Sequence, residues 1–466
     1  MPAFDPVTLA QWTGGRWTAT PVSPLTGFAI DTRAVRPGQV FVALKTDQRD
    51  GHEFLAAAHA GGAGAALVAT PDSALALPQL VVADPLTAFQ AIARAHRRRF
   101  RGPVVGISGS AGKTSTKNLL ALLLGGDAGG VLATEGNLNN HLGVPLTLTR
   151  LDPATHAFAV IEAGISAPGE MRPLADMIEP DVALITLVAA AHTEALGGVE
   201  GVAREKAVLP AATRATGVAI FPQQAAEFAP FHALGGRTLV VEPVAVIRPA
   251  EPPKDTVYFA VTQCGDSTAI ALAYGAPPPL AFTLRRVTDG MAQNAALALC
   301  AARWLGVPRA TLQARLADWQ PPKLRGEIRR EGGRLLYLDC YNANPASMAD
   351  ALATFAAIAP ADEPRLYVIG CMEELGPDAP AHHRQLGRRL PLRECDRLMV
   401  VGTFAHEVCA GVLDQNDFTR QIQMVSSLEP VAACLAEWRG PVFLKGSRRY
   451  RLERVLEGQT SLPLPC

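Results

Sequence analysis

A glycine-rich turn early in the chain carries the residue types that bind phosphate. Gly109 and Gly112 precede Lys113 and Thr114, between a valine-rich strand and the start of a helix. Backbone N–H groups at such a turn and helix start can hold phosphate oxygens. A lysine there neutralises β- and γ-phosphates, and the hydroxyl is a Mg²⁺ ligand. Five residues, not four, separate the first glycine of the motif from Gly112, but the strand–turn–helix context still predicts nucleotide binding.

Two further polar side chains follow apolar strands. Glu162 comes directly after residues 157–161, and His192 follows residues 182–188. The carboxyl ends of parallel strands meet at one sheet edge, where open α/β folds bind ligands, and carboxylate oxygens suit Mg²⁺. From position alone, Glu162 could also be a helix cap, His192 a loop histidine and Lys206 a solvated helix lysine.

The elements that must position these residues alternate between apolar strands and helices. This alternation predicts an α/β protein with mostly parallel sheets, and 466 residues are enough for two or three domains. A Pro-rich stretch at residues 320–323 marks one boundary. We predict a small N-terminal α/β domain at 1–83, a central domain with a mostly parallel sheet at 84–320, and a C-terminal Rossmann-like α/β domain at 321–466.

The second domain is expected to begin with an amphipathic helix over residues 84–101. Asp84 is its candidate N-cap, and four arginines lie near its end, where cations suit the helix dipole. We interpret this basic cluster (Arg97, Arg98, Arg99 and Arg101) as a solvated helix end. A nucleic-acid patch is the less favoured interpretation.

Composition excludes several classes of protein. Forty-three basic residues balance 43 acidic ones, so no net positive charge is available to gather nucleic acid. Neither a signal peptide nor an apolar run near ~20 residues is present, so we predict a cytoplasmic protein that does not insert into membranes. The eight cysteines are scattered without a Cys-x-x-Cys pair, and we expect them to be reduced.

Several longer segments together resemble the Mur ligases. In the central region these segments are 106–117 (GISGSAGKTSTK), 134–148 (TEGNLNNHLGVPLTL), 162–171 (EAGISAPGEM) and 191–194 (AHTE). At the two ends they are 31–33 (DTR), 37–44 (PGQVFVAL), 50–54 (DGHEF), 339–348 (DCYNANPASM), 374–376 (ELG) and 445–448 (KGSR). The likeness covers nearly the whole chain and is strongest to the branch that adds D-alanyl-D-alanine.

This resemblance implies an ATP-dependent amide ligase of the cytoplasmic stage of peptidoglycan synthesis. It would join UDP-N-acetylmuramoyl-tripeptide to D-alanyl-D-alanine through an acyl phosphate, and we expect a monomer. The first domain would bind the UDP-sugar, the second ATP, and the third the dipeptide. ATP and two Mg²⁺ ions are the implied cofactors.

The resemblance also assigns roles to individual residues. For catalysis it implies Lys113, Glu162, His192 and Lys206. For the nucleotide it implies Gly109, Ser110, Ala111, Gly112, Lys113, Thr114, Ser115, Asn137, Asn294, Arg325 and Asp339. For the substrates it implies Thr32, Arg33, Asn139, Asn140, Tyr341, Asn342 and Asn344. The implied metal ligands are Thr114, Glu162, His192 and a carbamylated Lys206, whose carbamate would supply an anion where the free amine is a cation.

Four positions depart from the family pattern, and three rival functions remain open. Leu187 stands where an asparagine is usual, and Ala189, two residues later, where a glycine is usual. Gly290 stands where a histidine is usual, and Cys371 where an aspartate is usual. The rivals are a sibling ligase with another acceptor, such as a cyanophycin or folate-polyglutamate type, a non-catalytic nucleotide-binding derivative, and an ordinary P-loop phosphotransferase. The first-domain match opposes the first rival, and the intact candidate site opposes the second. The lack of a kinase-type catalytic loop opposes the third.

Overall fold

The computed structural model describes residues 2–247, 252–275, 278–415, 417 and 419–458. Within these residues, sheets of five, nine and six strands follow one another along the chain. Each sheet is covered by helices and has its own buried apolar cluster. The predicted fold class, three-domain α/β with mostly parallel sheets, is confirmed.

The first sheet is built from short strands in the order β1-β5-β4-β3-β2. Its strands are β1 (Arg16–Trp17), β2 (Phe28–Ala29), β3 (Val40–Val42), β4 (Ala65–Val68) and β5 (Gln79–Val81), with helices α1 (Pro6–Thr13) and α2 (Leu55–Ala60). Strand β1 runs antiparallel to β5, and the other pairs are parallel. Thr32 and Arg33 lie outside the sheet, in a single 3₁₀ turn.

Helix α3 (Pro85–Arg99) joins the first two sheets and packs against both. The Asp84 side chain accepts a hydrogen bond from the Thr87 N–H, which confirms the predicted N-cap. Phe89 and Ile92 on this helix belong to the apolar cluster of the first sheet. One turn later, Ala93 belongs to a cluster of the central sheet. The first and central domains therefore share a helix.

The end of α3 is not a solvated basic patch, so that prediction was wrong at Arg97. This side chain is fully buried. Its guanidinium donates to the carbonyl oxygens of Ile178 and Glu179 and to Asp181 Oδ2, each at 2.8 Å. Ile178 ends a helix of the central domain, and the carbonyl groups at the end of a helix lack partners within it. The acidic residues Glu179 and Asp181 follow this helix. Arg97 donates to these carbonyl groups and pairs with Asp181, and the sequence around Arg97 did not indicate either contact.

We expect Arg97→Ala to destabilise the protein by about 3–5 kcal/mol, because it leaves a partly buried carboxylate and two carbonyl groups without their donor. Urea denaturation measures the free energy of unfolding. Arg98→Ala is the matched control, since Arg98 is half exposed and pairs with Glu179 at the surface, where such a pair contributes under ~1 kcal/mol. Equal losses in the two variants would contradict the role assigned to Arg97.

The central sheet has the strand order β14-β13-β12-β11-β10-β9-β6-β8-β7. Its strands are β6 (Val104–Ser108), β7 (Val131–Ala133), β8 (Phe158–Glu162), β9 (Val182–Ile185), β10 (Val218–Pro222), β11 (Thr238–Pro243), β12 (Thr256–Cys264), β13 (Ser267–Ala273) and β14 (Leu280–Arg285). Its helices are α4 (Lys113–Leu124), α5 (Gly143–Leu148), α6 (Met171–Ile178), α7 (Thr193–Leu196), α8 (Val199–Ala211), α9 (Gln223–Ala226), α10 (Ala229–His232), α11 (Asp289–Trp304) and α12 (Arg309–Ala317). The strands from β12 to β7 in this order, including β6, run parallel to one another. Strands β13 and β14 add an antiparallel extension next to β12.

Strand β6 lies at a switch in the order of the central sheet. Its neighbours are β8 and β9, and the chain continues outward on both sides of it. Loops that leave the carboxyl ends of strands on the two sides of such a point enclose a crevice, which is where open α/β folds bind ligands. The glycine turn follows β6 directly.

The third sheet has the order β15-β16-β20-β17-β18-β19, parallel except for the pair β15 and β16. Its strands are β15 (Glu327–Glu331), β16 (Arg334–Asp339), β17 (Leu366–Gly370), β18 (Arg397–Val401), β19 (Ile422–Val425) and β20 (Val442–Lys445). Its helices are α13 (Pro345–Ile358), α14 (Ala379–Arg389), α15 (Ala405–Leu413) and α16 (Glu429–Glu437). Asp339 and Lys445 end the neighbouring strands β16 and β20.

Two further findings concern the whole described chain. No helix in the described ranges has both the length and the apolar character of a membrane span. The seven cysteines in these ranges are unpaired, and Cys300, Cys340, Cys371 and Cys409 are buried. Cys466 lies outside the described residues.

Candidate active site

The turn between β6 and α4 contains two positions, Gly109 and Gly112, that only glycine fits. Gly109 has φ 150° and Gly112 has φ 79°, values that favour glycine. A Cβ atom at Gly109 would lie 1.9 Å from Thr186 Oγ1, and one at Gly112 would lie 2.3 Å from Asn294 Nδ2. The Thr186 hydroxyl donates to the Ala111 carbonyl oxygen at 2.5 Å. The turn is therefore pressed against the end of β9 and the helix that carries Asn294.

The same contacts explain why β9 is shorter than predicted. We expected a strand over residues 182–188, but β9 ends at Ile185. From Thr186 onward the backbone serves the glycine turn, since the Ser110 N–H donates to the Leu187 carbonyl oxygen at 2.8 Å. The Ser110 hydroxyl donates to Ala189 O at 2.8 Å. Residues 187–189 are as apolar as the strand, so the hydrophobic pattern did not indicate where the strand ends.

Lys113 begins helix α4 and folds back over the turn. Its Nζ donates to the Gly109 carbonyl oxygen at 2.8 Å. Burial lowers the pKa of the Lys113 amine, nearby Glu162 raises it, and Arg325 lowers it further. A lysine so placed is a cation at the mouth of a loop of backbone N–H groups, which is the arrangement that binds polyphosphate.

Glu162 lies at the end of β8, where it is 2% exposed, beside the hydroxyl of Thr114. Thr114 Oγ1 donates to the carboxylate at 2.9 and 3.2 Å, and Asn139 Nδ2 donates to Glu162 Oε1 at 2.8 Å. From the strand side, the Thr134 hydroxyl accepts from the Glu162 N–H at 2.9 Å. A hydroxyl and a carboxylate in contact with each other beside a phosphate loop are oxygen ligands of the kind that Mg²⁺ prefers.

Lys206 on α8 is 2% exposed, so it is not the solvated lysine of the alternative interpretation. Within the described part of the chain, its ammonium has no hydrogen-bond or ion-pair partner. Burial, reinforced by the charge of Lys113, lowers the pKa of the Lys206 amine well below its usual range, whereas Glu205 raises it. A buried ammonium without a partner is costly, so this nitrogen is predisposed to be neutral or to acquire a negative group.

His192 caps the short helix α7 in a left-handed conformation, φ 56°. Its Nδ1 pairs with the carboxylate of Glu374, a third-domain residue that also has a positive φ of 62°. The pKa of the Glu374 carboxyl is lowered, chiefly by this contact. Next to it, the Thr193 hydroxyl donates to Leu375 O at 3.2 Å. The predicted histidine therefore lies where the central and third domains meet.

The third domain places a second group of polar residues opposite the phosphate loop. Lys445 Nζ donates to Asp339 Oδ2 at 2.5 Å and to Asn342 O at 3.3 Å. Asn344 Nδ2 donates to Ser110 O at 3.2 Å, a direct bond to the loop. The guanidinium of Arg325 lies 3.8 Å from the centre of the Tyr341 ring.

The two groups line one cleft of about 710 Å³ between the central and third domains. Most of the predicted site residues are on its wall, namely Ser110, Ala111, Gly112, Lys113, Thr114, Ser115, Asn137, Asn139, Asn140, Glu162, His192, Asn294, Arg325, Asp339, Tyr341, Asn342 and Asn344. Gly109 and Lys206 are not on the wall. Thr32 and Arg33 belong to the first domain and do not line this cleft either; Arg33 pairs there with Asp31 at 2.6 Å.

Several lining residues were not predicted. Thr186, Gln293, Asp350 and Lys445 line the cleft, and Lys445 is the one that a motif pointed to, since it begins the KGSR segment. The other three reach the cleft through contacts between distant segments, which no local pattern indicates. In the described ranges no group of three or more His, Cys, Asp or Glu residues could hold a metal ion. The predicted ligands do not form such a group because two of the four, Thr114 and Lys206, are of other residue types.

The departures from the family pattern leave this wall intact. Ala189 offers its backbone carbonyl to the Ser110 hydroxyl. Leu187 offers its backbone carbonyl to Ser110. Gly290 lines the cleft without a side chain, and its N–H donates to Asp350. Cys371 is buried at the end of β17, and burial raises the pKa of its thiol to about 12, so it is neutral.

Comparisons with known proteins agree with the site. The Mur ligase middle domain matches residues 107–234, and the Mur ligase, glutamate ligase domain matches residues 324–448. The chain is 32% identical over 459 residues to the UDP-N-acetylmuramoyl-tripeptide–D-alanyl-D-alanine ligase of Escherichia coli (strain K12), with 97% of each chain covered. It is similar to the crystal structure of MurF from Acinetobacter baumannii, with TM-score 0.85, 27% identity and 98% and 99% of the two chains covered. MurF ligase from Thermotoga maritima in complex with ADP gives TM-score 0.78, 26% identity and coverage of 93% and 96%.

Proposed function

Because this chain belongs to the Mur ligase family, we propose that it is the ATP-dependent ligase that joins UDP-N-acetylmuramoyl-tripeptide to D-alanyl-D-alanine. The likeness to the Escherichia coli ligase of that name, over 97% of both chains, carries the proposal. The cleft supports it, since a phosphate loop and a carboxylate in the central domain face polar residues of the third domain.

The chemistry must turn a poor electrophile into a reactive one. A carboxylate oxygen of the UDP-peptide attacks the γ-phosphorus of ATP, the bond from that phosphorus to the bridging oxygen breaks, and ADP leaves. The amine of the dipeptide then attacks the acyl carbon. The tetrahedral intermediate expels phosphate, and the nitrogen loses a proton to give the amide.

In this scheme Lys113 binds the phosphates and offsets the repulsion between the γ-phosphate and the incoming carboxylate. Two anions must approach within bonding distance, so a desolvated cation beside them has a large effect. Asn294 and Asn137 would contact the adenine, and Arg325 and Asp339 would approach the ATP from the third domain. Tyr341, Asn342 and Asn344, together with Asn139 and Asn140, would bind the reacting ends of the substrates.

The hydroxyl of Thr114 and the carboxylate of Glu162 fit magnesium, since they are oxygen ligands already in contact. Thr114 and Glu162, already in contact, would hold one ion, and His192 together with a carbamylated Lys206 would hold a second. When bound, Mg²⁺ supplies positive charge to the phosphoryl oxygens. The buried, partnerless amine of Lys206 supports the carbamate, because a neutral amine adds to CO₂ and loses a proton, which converts a cation into an anion.

We further propose that each domain binds the substrate that the sequence indicated for it. Residues 1–83 bind the UDP-sugar, 84–320 bind ATP, and 321–466 bind the dipeptide, in a monomeric cytoplasmic enzyme. Nucleotide-linked precursors and ATP are both available in the cytoplasm.

The test is a single incubation with ATP, Mg²⁺, UDP-muramoyl-tripeptides containing meso-diaminopimelate or L-lysine, and D-alanyl-D-alanine, followed by mass analysis. The expected product mass is that of a UDP-muramoyl-pentapeptide, with one phosphate released per product. A product from another amine would identify a sibling ligase. Nucleotide binding without product would identify a non-catalytic derivative.

A prediction separates the first domain from the cleft. Arg33→Ala is expected to raise KM for the UDP-peptide about tenfold while KM for ATP changes little, because Arg33 is 88% exposed in the first domain and does not line the cleft. Charged hydrogen bonds to a ligand have about this effect. Arg36→Ala, an exposed neighbour, is the control, and steady-state kinetics with each substrate varied is the measurement. An equal rise in both KM values would contradict the assignment.

A further inference from the structure

Helix α13 of the third domain crosses the first turn of helix α11 of the central domain. The Gly290 N–H, in that first turn, donates to Asp350 Oδ1 at 3.0 Å. The side chain of Thr288, the N-cap of α11, also lies near the Asp350 carboxylate and lowers its pKa. The first N–H groups of a helix lack partners within it, and its dipole favours an anion there. A carboxylate of one domain thus satisfies a helix end of the other.

Gly290 suits this contact because it has no side chain. Its backbone does not adopt a positive φ, so no conformational need calls for glycine. A Cβ atom at this position would instead lie 2.6 Å from Asp350 Oδ2, so any side chain here would have to displace the carboxylate. Gly290 and Asp350 therefore match each other across the domain boundary.

The same helix makes a second contact across the cleft. Asn344 is the N-cap of α13, and its Nδ2 donates to Ser110 O of the phosphate loop at 3.2 Å. Asp350 follows it on the same helix. Helix α13 therefore bridges the cleft from the phosphate loop to the start of α11, which also carries Asn294.

Asp350 has no cation bonded to it among the described residues. Burial raises the pKa of its carboxyl, Thr288 and the Gly290 N–H lower it, and the nearby charge of Asp289 raises it. Lys445 also lowers it, but Lys445 is bonded to Asp339 instead. The attachment of Asp350 thus depends on the hydrogen bond from the Gly290 N–H rather than on an ion pair.

We propose that Asp350 is a positioning residue that holds the third domain closed over the nucleotide through its hydrogen bond from the Gly290 N–H. It acts by fixing α13, and with it Asn344, against the phosphate loop. The inference rests on the proposed function only in that ATP is taken as the nucleotide. Closure that assembles a site between domains is a common step in catalysis.

The experiment measures domain closure and kinetics on the full-length protein. Small-angle X-ray scattering gives the radius of gyration with and without ATP, and steady-state kinetics gives KM for ATP and for the UDP-peptide. Compared with the wild-type protein, we expect Asp350→Ala to have a larger radius of gyration and a KM for ATP about tenfold higher. Its KM for the UDP-peptide should stay within twofold of the wild-type value. Gly290→Ala should behave in the same way, because its methyl group displaces the carboxylate.

Two further variants make the test specific. Asp350→Asn keeps an oxygen that accepts from the Gly290 N–H, so it should restore the wild-type radius and KM for ATP. Asp289→Ala removes a neighbouring carboxylate that does not cross the boundary and should match wild type. Thermal unfolding checks that each variant folds; if Asp350→Ala does not, Gly290→Ala decides.

Wild-type values of radius and KM in both Asp350→Ala and Gly290→Ala would overturn the proposal, as would an Asp350→Asn variant as impaired as the alanine. Absence of ligase activity in the wild-type protein would instead refute the proposed function, and the scattering comparison would still test the contact.

Discussion

Lys206→Ala should lose nearly all ligase activity, by a factor on the order of 10² to 10⁴, the scale for removing one preorganised charge from an active site. The wild-type side chain is buried, has no partner in the described chain, and lies near the charge of Lys113. Both conditions favour the neutral amine, which is the form that reacts with CO₂. Alanine removes the proposed carbamate and leaves the proposed second metal position without its anion.

Chemical rescue distinguishes a missing anion from a damaged fold. Acetate or formate should restore part of the activity of Lys206→Ala, because a small carboxylate supplies the absent oxygens. Lys206→Arg should stay inactive even with acetate, since a guanidinium keeps its charge and does not form the carbamate. Arg204→Ala, an exposed position on the same helix, serves as the control with normal activity.

The modification itself has a direct readout. Wild-type protein equilibrated with ¹³C-bicarbonate should give a carbamate signal in carbon-13 NMR, and Lys206→Ala should not. Near-normal activity in Lys206→Ala, or a wild type without that signal, would rule out the carbamate and weaken the case for a second metal.

Lys113→Ala should abolish turnover with a comparable loss, about 10²- to 10⁴-fold in kcat. The side chain bonds to its own loop at Gly109 O and fills no apolar core, so the fold should survive. Phosphate release measures turnover, and thermal unfolding verifies the fold. Asn118→Ala, an exposed residue on the same helix, is the control. Wild-type phosphate release by Lys113→Ala would refute the phosphate-loop assignment.

Local patterns in the sequence predicted much of the scaffold. The glycine turn, the cap at Asp84 and the strand that ends at Glu162 each depend on neighbours in sequence, which periodicity and residue type report well. The contact of Thr114 with Glu162 followed because parallel strands bring their carboxyl ends to one edge.

Contacts between distant segments could not be predicted in this way. Arg97 looks like any surface arginine until Asp181 is placed against it, and Lys206 looks solvated until α8 is packed on the sheet. The bond from Asp350 to Gly290 joins two domains. In each case the environment that defines the residue comes from elsewhere in the chain, so its own segment has no signal for it.

The helix shared by the first two domains has a consequence for substrate choice. Helix α3 contributes to both cores, and Arg97 bonds its end to the central domain. If the first domain anchors the UDP-sugar as proposed, the peptide of the donor must span the distance from that domain to the phosphate loop. A donor shorter by one residue would fall short by roughly 3.5 Å, about the distance at which reacting atoms meet. We therefore expect the enzyme to discriminate against truncated donors by their length.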